Sequence, residues 1–376
     1  MNKKLLFIVN APAFFLSHRL PIALAAQEAG YEVHVATAAG EASREILDHG
    51  LVHHEVALSR SGQHPGKELA TVLRLYRLMR RLRPALVHLV TIKPVLYGGL
   101  AARLARVPAV VAAVSGLGTI FMSRGGKASL VRRVVVLLYR LALGHPNLAV
   151  IFQNPDDRQT LTSLGAVRET QARMIRGSGI DLKECPWLAE PAGPPVVTMA
   201  ARLLRDKGVE EFVEAARLLG QRGVPARFWL IGSCDPGNPT SVTPAELEAW
   251  QAEGVVELMG YRDDIAQQYS RSHIVCLPSY REGLPKSLVE AAACGRAVVT
   301  TDVPGCRDAI EPDISGILVP ARDAAALADA IQTLAEDAEK RQAMGRAGRD
   351  LAEREFAIER IVGLHLAIYQ ELDKQA

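Results

Sequence analysis

Short apolar runs alternate with amphipathic stretches along almost the whole chain. In the first half KLLFIV (4–9) is followed by SHRLPIALAAQEAG (17–30), YEVHVAT (31–37) and EASREILDHG (41–50). Next come KELATVLRLYRLMRRLR (67–83), ALVHLV (85–90), LYGGLAARLAR (96–106) and AVVAAVS (109–115). Strand-length runs separated by helix-length segments predict parallel, doubly wound α/β structure. The Pro/Gly-rich stretch GSGIDLKECPWLAEPAGPP (177–195) interrupts the rhythm and reads as a linker. A second series opens with VVTMAARLLRDKG and continues through ARFWLIG, VVELMGY, IVCLPS, KSLVEAAACG and AVVTTD, closing on REFAIERIVGLHLAIYQEL. The expected organisation is an α/β domain at 1–176, the linker at 177–195, a second α/β domain at 196–355 and a helix at 356–376 that packs back on the first domain. Doubly wound sheets place ligands at the carboxyl ends of their strands, so two such domains facing each other would share a central cleft.

Composition refines this picture in two respects. The 376 residues are 49% apolar and 23% charged, as in ordinary globular proteins. Their five cysteines form no C-x-x-C pair, which argues against a disulfide framework or structural zinc and fits a reducing cytoplasm. The start, MNKKLLFIVNAPAFF, has the basic and apolar order of a leader, but its apolar run is short and ends in a turn, so it reads as a buried strand. No segment is long and apolar enough to be expected to cross a membrane.

The charge is unevenly distributed. Residues 1–175 contain 22 basic and ten acidic residues, whereas the whole chain is only +3. Between 60 and 140 there are 15 basic residues and one acid, Glu68. Soluble surfaces normally mix signs, so this field calls for an anionic partner: nucleic acid, an anionic membrane face or a phosphorylated substrate. No nucleic-acid recognition module is visible. In the segment 67–83, Leu75, Leu78, Met79 and Leu82 share one helical stripe, with Arg74, Arg77, Arg80, Arg81 and Arg83 around it. That pattern suits either an interfacial membrane helix or a helix packed on a sheet.

Candidate chemistry concentrates in REGLPKSLVEAAACGRAVV (281–299), where Glu282 and Glu290 stand eight positions apart. Ser287 and Glu290 have capping-box spacing, which is the structural reading of Glu290. Glu282 precedes the helix at the expected carboxyl edge. The Gly283-Leu284-Pro285 turn would direct backbone N–H groups of the helix start into the same space, a ready anion site. Carboxylates beside an anion site suit hydroxyl groups, so the set describes a nucleoside diphosphate sugar site. Arg202 and Lys207, in the loop after VVTMA, would supply cations for the diphosphate.

Taken together, the E-x7-E spacing, ARLLRDKG, VPGCRD and SGILVP resemble the GT-B-fold retaining glycosyltransferases of family 4. The resemblance runs nearly end to end. It implies that Arg202 and Lys207 bind the donor diphosphate, that Glu282 contacts the donor sugar and that Glu290 holds the ribose hydroxyls. The backbone of Gly283, Leu284 and Pro285, with Lys286, would lie against sugar and phosphate. More narrowly, FFLSHRLPIALAAQEAGYEV, HLVTIKPVLYGGLAARLA and SGLGTIF are similar to bacterial members that transfer N-acetylhexosamines, commonly N-acetylgalactosamine, to undecaprenyl-diphosphate-linked saccharides. That resemblance implies a UDP-sugar donor, a lipid-diphosphate saccharide acceptor, and a peripheral position on the cytoplasmic face of the inner membrane, reached through basic residues 60–140. It is expected to be a polysaccharide or lipopolysaccharide assembly enzyme, with no cofactor, no nucleic-acid partner and, since no D-x-D occurs, no required metal.

Two departures from the family stand out. VNAPAFFLSHR lacks the glycine-rich loop that often follows the first strand. Ser115-Gly116-Leu117-Gly118 replaces the histidine that often follows AVVAAVS. His18, read as lying between the first strand and helix, is the remaining polar candidate on the catalytic side. Thr91 and Lys93, with Ser115 and Gly116, are expected to meet the acceptor. His88 ends the strand before them. A UDP-N-acetylglucosamine 2-epimerase and a non-catalytic subunit of a glycosyltransferase complex are the competing readings.

Overall fold

The computed structural model describes residues 3–58, 65–117 and 126–375. Residues 60–64 of the basic stretch, 118–121 of SGLGTIF and 123–125 lie outside them. Two compact units emerge, one of residues 1–179 with 359–376 and one of residues 180–358.

The first unit contains β1 (Lys3–Ile8), α1 (Pro12–Glu28), β2 (Tyr31–Thr37), α2 (Ser43–Asp48), β3 (Val52–Glu55), α3 (Pro65–Leu82) and β4 (Leu86–Val90). It continues with α4 (Gly99–Ala105), β5 (Ala109–Val114), α5 (Gly126–Ala142), β6 (Leu148–Phe152), α6 (Pro155–Ser163) and β7 (Ala172–Met174). The seven strands form one parallel sheet in the order β3-β2-β1-β4-β5-β6-β7. Alternation along β1 serves both faces. Leu6 and Ile8 join the core that includes Leu75 and Met79 of α3, while Leu5 and Phe7 join the one that includes Phe15 and Ile22 of α1. The apolar stripe of α3 is therefore packing surface: Leu75, Leu78 and Met79 are buried and Leu82 packs against the same core. Of the two readings of that stripe, packing on the sheet is the one observed. Sheet burial takes those side chains and leaves Arg74, Arg77, Arg80, Arg81 and Arg83 in solvent.

The second unit contains β8 (Val196–Ala200), α7 (Val209–Gln221), β9 (Arg227–Ile231), α8 (Pro244–Glu253), β10 (Glu257–Gly260), α9 (Ile265–Ser270) and β11 (Ile274–Leu277). Then follow α10 (Lys286–Ala293), β12 (Ala297–Thr301), β13 (Gly316–Val319), α11 (Ala324–Glu336) and α12 (Ala338–Leu351). Its six strands are also parallel, in the order β10-β9-β8-β11-β12-β13. Residues 180–195, within the stretch read as a linker, are fastened to this unit. Glu190 forms a two-pronged ion pair with Arg341 (2.9 and 2.8 Å), and the His273 ring bonds the Pro191 carbonyl at 2.9 Å. α12 crosses close to the end of α10, where a Cβ on Gly345 would stand 2.2 Å from the Gly295 carbonyl oxygen.

The last helix, α13 (Ile358–Gln375), packs on the first unit by apolar contacts through Ile361 and Ile368 and by a line of polar ones. His88 of β4 bonds the Tyr369 hydroxyl at 2.6 Å, Asn147 donates to the Leu372 carbonyl at 2.9 Å, and the Tyr31 hydroxyl donates to Asp373 at 2.6 Å. Arg19, only 2% exposed, lies in the same layer and donates to the His18 carbonyl at 2.8 Å. Burial lowers its guanidinium to about 10, with Tyr369 acting the other way. Burial, reinforced by Arg19, also holds His365 down at about 3 and His88 well below the usual histidine value.

The pH dependence of stability follows from those two imidazoles. Folded, both stay neutral; unfolded, each takes a proton near pH ~6.5. Their contribution is therefore complete above that pH and is lost as the pH falls. Between pH ~7 and ~5 each should withdraw about 2 kcal/mol. The urea midpoint should drop over that interval, and His365→Leu should shrink the drop. An unchanged pH dependence in the variant would mean that His365 takes up its proton while folded.

Candidate active site

In the second unit the chain leaves β8 toward β9 on one side, and β11 lies on the other, so the β8/β11 boundary is a topological switch point. Both loops that leave its carboxyl edge carry candidate residues. The β8 loop holds Arg202 and runs into a short 3-10 turn, Arg205–Lys207. The β11 loop holds Ser279 and Glu282 and enters α10 at Lys286.

The structure brings Lys207 and Glu282 together: Lys207 Nζ and Glu282 Oε1 form an ion pair, with side chains 21% and 12% exposed. The Ser279 hydroxyl is placed to donate to Glu282 Oε1 at 2.8 Å and to the Asp206 carbonyl at 3.0 Å. The Tyr280 N–H donates to the Asp206 carbonyl at 2.9 Å, tying the two loops through their backbones. On its other side, the Glu282 N–H donates to the Pro304 carbonyl at 3.0 Å. Gly305 then passes the glutamate with φ +84°, and a Cβ there would meet the Glu282 carbonyl oxygen at 2.5 Å. Arg202 is more exposed and pairs with Asp235 at 3.1 Å.

Glu290 occupies the interior of α10, one turn after Lys286, with 3.5 Å between Lys286 Nζ and its carboxylate. The capping-box reading is thereby corrected. Pro285 is the N-cap residue and Ser287 already lies inside the helix, because the proline fixes an extended entry just before it. Burial raises the Glu290 carboxyl above the ordinary glutamate range, opposed by the Lys286 charge. Gly283, Leu284 and Pro285 are buried, so that turn contributes backbone to the site. The first N–H groups of α10 lack intrahelical acceptors and carry the positive end of its dipole.

In the first unit, Thr91 and Ser115 follow the adjacent strands β4 and β5, and Asn10 follows β1 on the other side of β4. The side-chain oxygens of all three are buried without a hydrogen-bond partner among the described residues. Thr91 also has φ +74°, strained for a β-branched residue, and Gly116 has φ +112°. Lys93 is held by Glu68 at 2.9 Å, so the one acid of the basic segment is already paired. His18 is corrected: it is not between the first strand and helix but in the second turn of α1. Pro12 starts that helix six residues earlier, with φ already suited to a first helical position. There His18 bonds the Ser17 hydroxyl at 2.6 Å and stacks on Phe14 with ring centres 4.0 Å apart. His88, read at a strand end, is fully buried under α13 and belongs to the packing layer.

The residues missed by reading the sequence are supporting ones: Ser279, Asp235, Gly305, Asn10 and Glu68. Ser279 and Gly305 sat inside quoted motifs, IVCLPS and VPGCRD, yet only the folded loops reveal their partners.

Two all-parallel, doubly wound units, the second with an acid–base set at its switch point, are the architecture of GT-B glycosyltransferases. Comparison with known proteins agrees. Residues 4–154 match the family described as "Glycosyl transferase 4-like", and residues 186–351 match "Glycosyl transferases group 1". The N,N′-diacetylbacillosaminyl-diphospho-undecaprenol alpha-1,3-N-acetylgalactosaminyltransferase of Campylobacter jejuni is 33% identical over 344 residues, 88% of this chain and 89% of that protein. Among solved structures, sucrose-phosphate synthase from Thermosynechococcus elongatus superposes with TM-score 0.80 at 22% identity over 100% of both chains. Anabaena HepE in complex with UDP and glucose does so with TM-score 0.78 at 19% identity, over 98% of this chain and 100% of its own. The chain belongs to the group 1, GT4-like glycosyltransferases and is an enzyme of glycosyl transfer.

Gly305→Ala tests how far the site depends on this loop packing. The added methyl meets backbone at a residue with positive φ, a strain of about 1–3 kcal/mol. We expect glycosyl transfer to fall more than tenfold and the melting temperature by several degrees. Wild-type turnover would show that the Glu282 backbone is not held by this contact.

Proposed function

We propose that the protein transfers an N-acetylhexosamine, in the first instance N-acetylgalactosamine, from its UDP-linked donor to an undecaprenyl-diphosphate-linked saccharide. The observation that carries this reading is the near full-length similarity to the Campylobacter transferase, combined with the Lys207–Glu282–Ser279 arrangement at the switch point. The acceptor named for that relative is itself lipid-linked, which suits a peripheral position on the cytoplasmic face of the inner membrane.

On this reading Lys207 and Arg202 stabilise the departing diphosphate together with the start of α10, as preorganised charge and dipole. Glu282 accepts hydrogen bonds from donor-sugar hydroxyls and Glu290 from the ribose. The acceptor hydroxyl attacks the anomeric carbon from the face the diphosphate leaves, giving retention, and a departing diphosphate oxygen takes its proton. No side-chain base is then needed, and His18 serves to shape the α1 side of the acceptor region. Asn10, Thr91, Ser115, Gly116 and Lys93 form the acceptor side, where three buried oxygens still have hydrogen-bonding capacity.

The deciding experiment incubates the enzyme with a panel of UDP-sugars and a lipid-diphosphate saccharide in EDTA, followed by mass spectrometry and anomeric NMR. Gain of one N-acetylhexosamine in α linkage is the expected result. A requirement for added metal would reject charge stabilisation by Arg202 and Lys207 alone. Conversion of UDP-N-acetylglucosamine to its 2-epimer without transfer would replace the proposal with the epimerase reading.

Glu282→Ala should lower transfer by at least a hundredfold without a parallel loss of UDP affinity, since the sugar contacts go while Lys207, released from its ion pair, remains available to the diphosphate. Glu290 should behave differently. Its raised carboxyl protonates above the ordinary glutamate range, so UDP affinity should decline as pH falls through that raised value. Glu290→Gln should weaken UDP about tenfold at neutral pH and flatten this acid limb. Isothermal titration against pH reads both; an unaltered acid limb in the variant would remove Glu290 from the ribose.

A further inference from the structure

We propose that Asp235 is the resting counter-ion of Arg202, which leaves that carboxylate for the donor diphosphate and returns to it when UDP departs. The inference rests on the reading of Arg202 as a diphosphate ligand, and it adds a residue that governs how tightly the nucleotide is held. The pair is set by the way two loops meet. Gly232 follows β9 with φ +144°, and a Cβ there would collide with the Ala201 carbonyl oxygen, so the glycine lets the β9 loop lie against the start of the β8 loop. Backbone bonds then join the two. The Leu203 N–H donates to the Ser233 carbonyl at 3.1 Å, the Val242 N–H to the Leu203 carbonyl at 2.9 Å and the Arg205 N–H to the Thr240 carbonyl at 2.8 Å. Within the β9 loop, the Asp235 N–H donates to the Ser241 hydroxyl at 2.9 Å, and the Asp235 carbonyl accepts from the Asn238 N–H at 2.8 Å. Asp235 is thus fixed on both sides of its backbone, with its carboxylate 3.1 Å from Arg202 Nη1.

The two partners are unequal. The Arg202 side chain is 54% exposed and that of Asp235 27%, and Asp235 is the one side-chain partner of Arg202 among the described residues. Lys207 makes the contrast. Its carboxylate, Glu282, is more withdrawn from solvent, is also held by Ser279, and has a ligand of its own in the proposed reaction, the donor sugar. Asp235 has no such ligand. An exposed ion pair is weak and screened by salt, so Arg202 is readily detached from it. A diphosphate carries more charge and offers oxygens to both prongs of the guanidinium. Exchange therefore runs toward the diphosphate when donor is present. When UDP leaves, the immobile carboxylate recaptures the arginine. Donor and product present the same diphosphate, so Asp235 weakens the binding of both alike. It is a positioning residue for Arg202 and touches no reacting atom.

The test is isothermal titration of the full chain with UDP, for wild type, Asp235→Asn, Asp235→Glu, Arg202→Ala and the variant combining Asp235→Asn with Arg202→Ala. Asparagine keeps the size and backbone contacts of residue 235, so the melting temperature should stay at the wild-type value. Asp235→Asn should bind UDP about fivefold more tightly at low salt, with the gain shrinking as salt is raised. Asp235→Glu should return the affinity toward wild type. In the Arg202→Ala background, Asp235→Asn should change UDP affinity little, because the competition is for the arginine. In transfer assays the donor KM should fall without a rise in kcat, and inhibition by added UDP should strengthen by the same factor. Weaker or unchanged UDP binding by Asp235→Asn would overturn the exchange and leave Asp235 as a residue that only shapes its loop. Tightening that survives in the Arg202→Ala background would also overturn it, assigning the effect to direct repulsion between Asp235 and phosphate. If wild type binds no UDP, the diphosphate reading of the site fails first, and this proposal with it.

Discussion

The Lys207–Glu282 ion pair is the interaction on which the second unit's site depends. It joins the loops leaving β8 and β11, two strands that lie side by side while their crossovers diverge. Each side chain is largely withdrawn from solvent, so removing either would leave its partner's charge poorly compensated, a loss of about 3–5 kcal/mol for a fully buried pair and less here. Ser279 and the backbone contacts around Pro304 and Gly305 limit where the glutamate can go. On the proposed reading, an arriving diphosphate recruits a lysine whose carboxylate neighbour is already fixed. The sugar then meets a glutamate whose position is set by three separate segments of chain.

The first unit uses polarity in a different way. On one side of its sheet, the clasp of α13 is built from uncharged imidazoles, two phenols and an amide, with the Asp373 carboxylate accepting from Tyr31 and with Arg19 buried in the same layer. The neutral histidines spare that layer further buried cations, but they bind the fold's stability to pH. On the other side, the packing helices send their arginines outward and keep acids away. The +12 balance of residues 1–175 is thus unevenly distributed rather than a uniform field.

Much of this was legible from periodicity. Strands buried on both faces, such as LVHLV and AVVAAV, are continuous apolar runs, and the amphipathic helices between them announce parallel sheets. What escaped was physically different. β3, VHHE, is a short polar edge strand with no apolar alternation to mark it. α12 carries two glycines, Gly345 and Gly348, poor helix formers that weaken its periodic signal, yet Gly345 is what allows the helix to approach the Gly295 backbone. His18 was placed too early because the first helix was read from residue 17, whereas Pro12 is already its first residue. At the site, the charged residues could be picked out because charge at a strand's carboxyl end is chemically conspicuous. Ser279 and Asp235 could not, since their importance lies in which side chain they hold and that is decided by loops meeting in space.

The two carboxyl edges also differ in what holds their polar groups. Lys207 Nζ, the Ser279 hydroxyl and Glu282 Oε1 are partnered with one another within the protein, which is the kind of arrangement that preorganised transition-state stabilisation requires. Around β1, β4 and β5, Asn10, Thr91 and Ser115 leave three buried oxygens without partners among the described residues, and Thr91 adds a strained backbone. Each such group costs about 1–3 kcal/mol relative to a satisfied one. A fold could remove that cost with alanine or valine at the same positions. Retaining hydroxyl and amide groups there is economical only if something else completes their hydrogen bonds, and a saccharide, rich in hydroxyls that both donate and accept, has the chemistry to do so. On the proposed reading, the donor side is built to hold charge that develops during transfer, and the acceptor side to be completed by the molecule it binds.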